Sequence, residues 1–196
     1  VCSSDLLKTE AGLCRNTIVR YMKCFKRITN MALAKEWMRK DPFYGYKMAQ
    51  DETDPVFLTY PELKSIMEKE FTIPRLALVR DIFVFAAFTG LAFANVSTLT
   101  KDNLVQDNNG DWWIRKGRVK LERRHRASSV CNIPLLPVPL AILKKYEEHP
   151  ICRKKSLCLP VICNQRMNSY LKEIADLCNI RKNLTTHTAK HSKIYI

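Results

Sequence analysis

The sequence predicts a mainly α protein with a small three-stranded antiparallel sheet. Three observations carry that prediction. Apolar residues recur at helical spacing through most of the chain. Between Leu104 and Pro134 the period changes to that of strands, around an Asn108-Asn109-Gly110 turn. A stretch broken by Pro42, Gly45 and Pro55, with acids at Asp51, Glu52 and Asp54, divides an N-terminal helical piece from the rest. The expected organisation is a helical piece over 1–46, a linker over 47–57 and a second domain over 58–196.

Residues 16–38 place Ile18, Tyr21, Met22, Phe25, Ile28 and Ala32 on one helical stripe. Asn16 is the expected cap and Asp41-Pro42 the expected stop. Thr59 followed by Glu62 is a capping-box signal that opens a helix running to about Lys69. From Pro74 to Phe88 the side chains are apolar nearly all round and Gly90 follows, which predicts a central buried helix with a glycine stop. A short helix near 91–98 precedes the hairpin of Leu104–Asp107 and Asp111–Arg115, and a third strand is expected from about Ser129 to Pro134. Two more helices follow, near 138–148 and 164–178. The second carries Met167, Tyr170, Leu171, Ile174, Ala175 and Cys178 on one stripe, as a core-facing helix does. There is no internal repeat and no low-complexity segment.

Thirty-three Lys and Arg against nineteen Asp and Glu give a net charge of +14. The distribution is uneven. Residues 1–110 hold 15 basic and 13 acidic side chains, a net of +2, while 111–196 hold 18 and 6, a net of +12. Such a balance favours a polyanionic partner and would also suit an anionic membrane surface. The densest run is Arg115-Lys116-Gly117-Arg118-Val119-Lys120-Leu121-Glu122-Arg123-Arg124-His125-Arg126, with seven Lys or Arg and one acid. Either a solvated turn or a strand-turn-strand laid along a nucleic-acid groove would carry it. No apolar run approaches the roughly 18 residues that span a bilayer, and no charged-then-apolar leader opens the chain. Eight cysteines without a Cys-x-x-Cys pair, several on apolar faces, are expected as reduced thiols in a cytoplasm. No metal and no cofactor is expected: His187-x-x-x-His191 lacks the adjacent Glu of a metalloprotease helix, and no third ligand suggests itself.

The segment Thr185-Thr186-His187-Thr188-Ala189-Lys190-His191 is the richest in chemistry. Read forward from a Thr cap as a helix, it sets positions 187, 190 and 191 at i, i+3 and i+4, on one patch suited to an anion. A solvated polar face is the plain alternative. The run Ile180–His191 resembles the His-x-x-Arg-His box of tyrosine recombinases, the phage-type integrases. Phe88-Thr89-Gly90-Leu91-Ala92-Phe93-Ala94-Asn95-Val96 resembles their Thr-Gly-Leu-Arg box. The basic segment from Trp113 to Leu136, ending in Cys131-Asn132-Ile133-Pro134-Leu135-Leu136, resembles integrases of Bacteroides-type mobile elements. These matches occur in family order over roughly residues 14 to 191.

The resemblance implies a catalytic domain preceded by the end of a helical, SAM-like core-binding domain, acting on double-stranded DNA. It also implies strand cleavage and rejoining through a 3′-phosphotyrosyl intermediate. The family grips the phosphorane-like transition state with two arginines and two imidazoles, and a hairpin lysine protonates the leaving oxygen. Carried over residue by residue, Lys120 matches the lysine, His187 and His191 the imidazoles, and Lys190 stands where the second arginine belongs. Ala92 stands where the first arginine belongs and Asn95 where an acid usually follows; Arg80 and Arg75 are the candidate substitutes. Arg115, Lys116, Arg118, Arg123, Arg124 and Arg126, with Arg20 and Lys23 on the first helix, are the expected DNA contacts. Family nucleophiles lie beyond the second histidine box, after a Gly-His motif, so the chain is expected to be cut short before its tyrosine; Tyr195 has none of that context.

The expectation is therefore a site-specific recombinase of a mobile element, here binding DNA without cleaving it. A non-catalytic DNA-binding or architectural protein on the same scaffold is the alternative. An RNA-binding reading finds no aromatic strand pattern to support it. Family members tetramerise on DNA through C-terminal elements expected to be missing here, so a monomer or weak self-association is expected; the protein is also expected to be bacterial and cytoplasmic, with no membrane association.

Overall fold

In a computed structural model the described residues are 11–117 and 130–192. They form two compact units that divide between Asp54 and Pro55.

The first unit is built on α1, Arg15–Ala34. Its start differs from the expected one: Cys14 is the cap, and Asn16, inside the helix, turns its amide to the backbone of Asp51 (3.0 and 2.8 Å). Arg15 pairs with the Asp51 carboxylate at 3.3 Å and Lys23 donates to Gln50 at 3.0 Å. Residues 50 and 51, read as linker, thus bond back onto α1. The stop also differs. Glu36 lies in the left-handed region (φ 59°), which lets the Trp37 amide reach the Ala32 carbonyl and the Glu36 amide reach that of Leu33. That pair of bonds closes a helix seven residues before Asp41-Pro42. Of the expected apolar stripe, Ile18 and Met22 are buried against Phe43, with Leu13, Tyr46 and Met48 packed beside them, while Tyr21, Phe25 and Ile28 are exposed.

The second unit follows the expected order closely. Helix α2, Tyr60–Glu68, opens with Glu62 accepting from the Thr59 amide (2.7 Å) and hydroxyl (2.9 Å). Helix α3, Pro74–Thr89, is buried on all sides along its C-terminal two-thirds. Phe83, Phe85 and Ile82 sit at its centre, and each such side chain contributes about 1.5–3 kcal/mol by leaving water. Gly90 ends the helix at φ 66°, its amide bonding the Ala86 carbonyl. After the four-residue α4, Phe93–Val96, strands β1 (Leu104–Gln106), β2 (Trp112–Gly117) and β3 (Val130–Pro134) form an antiparallel sheet in the order β1-β2-β3. The register sets Leu104 opposite Ile114 and Arg115 opposite Asn132. Helices α5 (Pro137–Tyr146), α6 (Pro150–Lys155), α7 (Asn164–Leu177) and α8 (Thr186–His191) complete the unit. The sequence reading had no counterpart for α6. Helices α2, α5, α7 and α8 all pack on α3, and α7 does so through Met167, Leu171, Ile174 and Ala175, four of its six expected positions. No helix among the described residues is long and apolar enough to cross a membrane, and Cys14, Cys24, Cys152, Cys158, Cys163 and Cys178 are free thiols.

Candidate functional site: the histidine helix

Helix α8 is only six residues long, too short to hold itself together, so its surroundings set its orientation. Thr185 caps it, its hydroxyl accepting from the Thr188 amide while the Thr188 hydroxyl accepts from the Thr185 amide (3.3 and 3.2 Å). At the same end Asn168 on α7 accepts from the Thr186 amide at 2.9 Å, and Asn164 accepts from the Thr186 hydroxyl at 2.7 Å. At the other end the buried Ser192 hydroxyl donates to the Thr188 carbonyl (2.8 Å) and accepts from the Leu58 amide (2.7 Å). Ala189 is fully buried toward the core. With both ends and one face fixed, the opposite face presents His187, Lys190 and His191, all exposed. The two imidazoles approach to 3.0 Å between their Nε2 atoms with ring planes at 83°.

The structure brings this helix to the Thr89–Val96 segment. Thr186 and Ala189 line one small cavity with Ile82, Phe83 and Ala86 of α3, Phe93 and Val96 of α4, and Met167 of α7. Ala92, the N-cap of α4, puts a methyl group where the resemblance calls for a guanidinium. Neither candidate substitute is unengaged. Arg80 bonds Asp81 through Nε (2.8 Å) and the Lys69 carbonyl through Nη1 (2.7 Å), and stacks over Phe71. Arg75 pairs with Glu173 at 3.1 Å and stacks over Tyr170.

Asp81 is buried at 5% exposure and also accepts from Lys145 (2.7 Å) and Tyr146 (2.8 Å), so Arg80 belongs to a packed polar cluster. Burial, then the Asp81 carboxylate, push the Tyr146 phenol far above its ordinary range. Cys158 is likewise pushed up to about 11, by burial and then by neighbouring Cys152, which makes it an unreactive core thiol.

On the sheet, Arg115 is exposed, but Lys116 lies on the half-buried face of β2. Its ammonium bonds the Thr98 carbonyl and, at 3.0 Å, the Asn103 side chain. It fastens β2 to the turn before β1. Lys120, Arg118, Arg123, Arg124 and Arg126 lie outside the described residues. In the first unit Arg20 stacks over Tyr21 at 5.5 Å and Lys23 is bonded to Gln50. The residues that sequence reasoning missed are Asn164, Asn168 and Ser192. They act through α8, and only the threonine cap of that helix was visible in the spacing.

Comparison with known proteins bears on the fold. Residues 4–48 match the family model of the phage integrase SAM-like domain. A search of curated proteins finds no match. Among solved structures, the XerH site-specific recombinase bound to palindromic difH substrate superposes with a TM-score of 0.65 at 17% identity, over 96% of this chain and 58% of that one. The Tn1549 transposon integrase in complex with circular intermediate DNA gives 0.66 at 18% identity, over 95% and 67%. A lambda integrase dimer bound to a COC′ core site gives 0.66 at 12%, over 90% and 61%. The chain has the fold of site-specific recombinases and integrases. It spans well under two thirds of the XerH chain.

Proposed function

We propose that these residues form the DNA-binding part of a tyrosine recombinase of the kind carried by mobile elements, and that they bind duplex DNA without cleaving it. One observation carries the reading: two imidazoles and an ammonium converge on a helix fixed at both ends, beside the segment that resembles the recombinase Thr-Gly-Leu-Arg box, in a recombinase fold. Imidazole Nε2–H and ammonium N–H groups are donors for the non-bridging oxygens of a phosphodiester. The basic excess of residues 111–196 supplies the longer-range attraction to the backbone.

Cleavage needs more than these donors. A pentacoordinate phosphorus transition state spreads charge over oxygens that a guanidinium fork matches in two places, whereas a lysine acts as a point charge. Here position 92 has no cation, position 190 has lysine, and Arg75 and Arg80 are spent on Glu173 and Asp81. The same observations favour the second reading, a non-catalytic DNA-binding or architectural protein on this scaffold. The two agree on binding and are separated by whether a nucleophilic tyrosine follows in frame.

The test is fluorescence anisotropy on a duplex over a salt series, with a nicked suicide substrate run beside it. Binding that weakens linearly in log salt, without a covalent complex, is the expected result. A flat salt response would remove the phosphate contacts, and a denaturant-resistant protein–DNA adduct would remove the claim of no cleavage.

A further inference from the structure

The imidazole pair has a second chemistry, independent of DNA. His187 and His191 stand one helical turn apart, both exposed, with their Nε2 atoms 3.0 Å apart and ring centroids 4.5 Å apart. This contact is a hydrogen bond between the rings whose donor depends on the tautomer. Two metal–imidazole bonds of about 2.0–2.1 Å, opened between a right angle and the tetrahedral angle, separate their nitrogens by roughly 2.9–3.4 Å. The observed spacing falls at the right-angled end of that span. We propose that His187 and His191 are a two-imidazole chelate for a divalent transition cation, seated to one side of the line between the two Nε2 atoms.

The chemistry of the donors selects the ion. Neutral imidazole suits Ni²⁺, Cu²⁺ and Zn²⁺ rather than Mg²⁺ or Ca²⁺, which take oxygen ligands. The near-right-angled spacing favours octahedral or tetragonal geometry, so Ni²⁺ and Cu²⁺ fit better than tetrahedral Zn²⁺. Among the described residues no group of three His, Cys, Asp or Glu is placed to hold a metal, so the chelate proposed is of two protein ligands. The clamps on α8 give the pair an advantage over two histidines on an isolated peptide. Asn164, Asn168 and Ser192 fix the backbone that carries both rings, so little ordering remains to be done on binding. With a cation seated, each Nε2 lone pair is used on the metal and neither ring has an Nε2–H to offer a phosphate.

The experiment is calorimetric titration of the untagged 196-residue chain with NiCl₂, repeated on His187→Ala, His191→Ala and the control His149→Ala. His149 caps α6 with its Nδ1, away from the pair in sequence and role. The expected result is one site of unit stoichiometry that weakens at least about tenfold in each of the first two variants and is unchanged in the third. Copper-loaded chain should also show an electron paramagnetic resonance signal split by two equivalent nitrogens, which neither single variant keeps. Both rings are exposed, so the substitutions leave the core intact, and circular dichroism checks that they do. Nickel binding that survives both His187→Ala and His191→Ala, as binding through the exposed thiols would, overturns the proposal. DNA affinity measured in EDTA is a separate quantity, so failure of the chelate and failure of the DNA reading are distinguishable.

Discussion

The Ser192 hydroxyl accepts a 2.7 Å hydrogen bond from the amide of Leu58, 134 residues earlier, while donating to the Thr188 carbonyl at 2.8 Å. One buried hydroxyl thus fastens the end of the histidine helix to the segment that leads into α2. Ser192→Ala leaves the Leu58 amide buried without that partner, at a cost of about 1–3 kcal/mol. Urea unfolding followed by circular dichroism should show the midpoint fall at constant slope. An unchanged midpoint would mean that another group satisfies the amide.

Asp81 gathers Arg80, Lys145 and Tyr146 around one buried carboxylate. Removing it in Asp81→Ala strands the Tyr146 hydroxyl and a largely buried guanidinium, and should cost about 3–5 kcal/mol, more than any surface substitution on α3. Tyr146→Phe is milder, because Asp81 keeps two cations. Tyr146 ionises in the folded protein only far above its ordinary value of 10.0, from burial and then the Asp81 charge. A group whose pKa is raised by folding contributes its stability below the unfolded value and loses it as pH climbs beyond. The wild type should therefore lose stability relative to Tyr146→Phe only above about pH 10, as read from unfolding midpoints across pH.

Glu62 behaves in the opposite sense. Burial raises its pKa, but hydrogen bonds from Lys182 (2.7 Å) and from the Thr59 amide and hydroxyl outweigh burial and hold it below its ordinary 4.5. Its contribution is fully present above the unfolded value and is lost as pH falls through the depressed one. Glu62→Ala should cost about 1 kcal/mol at pH 7, mainly as a lost helix cap, and the gap from wild type should close as the solution is taken well below pH 4.5. A gap that persists at low pH would assign the effect to packing.

Much of the second unit was legible because its signals are local. Thr59 with Glu62, the all-apolar run that Gly90 ends, the Asn108-Asn109-Gly110 turn and the α7 stripe each specify an element within a few residues. The stop of the first helix was not legible. Glu36, Ser156 and Asn179 all take positive φ, and at each the second residue of the turn bonds back to the carbonyl five positions earlier: Trp37 to Ala32, Leu157 to Cys152, Ile180 to Ala175. A glutamate in that role carries no sequence mark, so the first helix was read to the next proline. The site was legible as far as it lies on one helix. The histidines face each other as their spacing requires, but the residues that hold α8 are 18 to 134 positions away. The commitment of Lys116 to Thr98 and Asn103 is likewise a tertiary fact that charge counting does not contain.

The Glu36 stop offers its own test. An L-residue in the left-handed region carries strain of about 1 kcal/mol, and glycine relieves it at the expense of a more flexible unfolded chain. Glu36→Gly should stabilise the first unit by roughly 0.5 kcal/mol, while Glu36→Val, β-branched and less tolerant of positive φ, should destabilise it. Trp37, largely exposed beside this turn, is a fluorescence reporter for the local transition. Equal stabilities for the glycine and valine variants would show that the turn does not set the end of α1.

Lys190 decides how the anion site is graded. It shares an exposed helix face with the imidazole pair, and a lysine there offers charge without the paired N–H groups of a guanidinium. On the DNA-binding reading, Lys190→Arg should tighten duplex binding by about 1 kcal/mol, roughly fivefold, through a second charge-assisted hydrogen bond. Because the charge is unchanged, the slope of log affinity against log salt should stay the same. Lys190→Ala should weaken binding and make that slope shallower by about one phosphate contact. The two readouts separate hydrogen-bond geometry from charge. A Lys190→Ala variant with wild-type affinity and slope would place the phosphate elsewhere on the protein, and the convergence of His187, Lys190 and His191 would then be a solvated helix face.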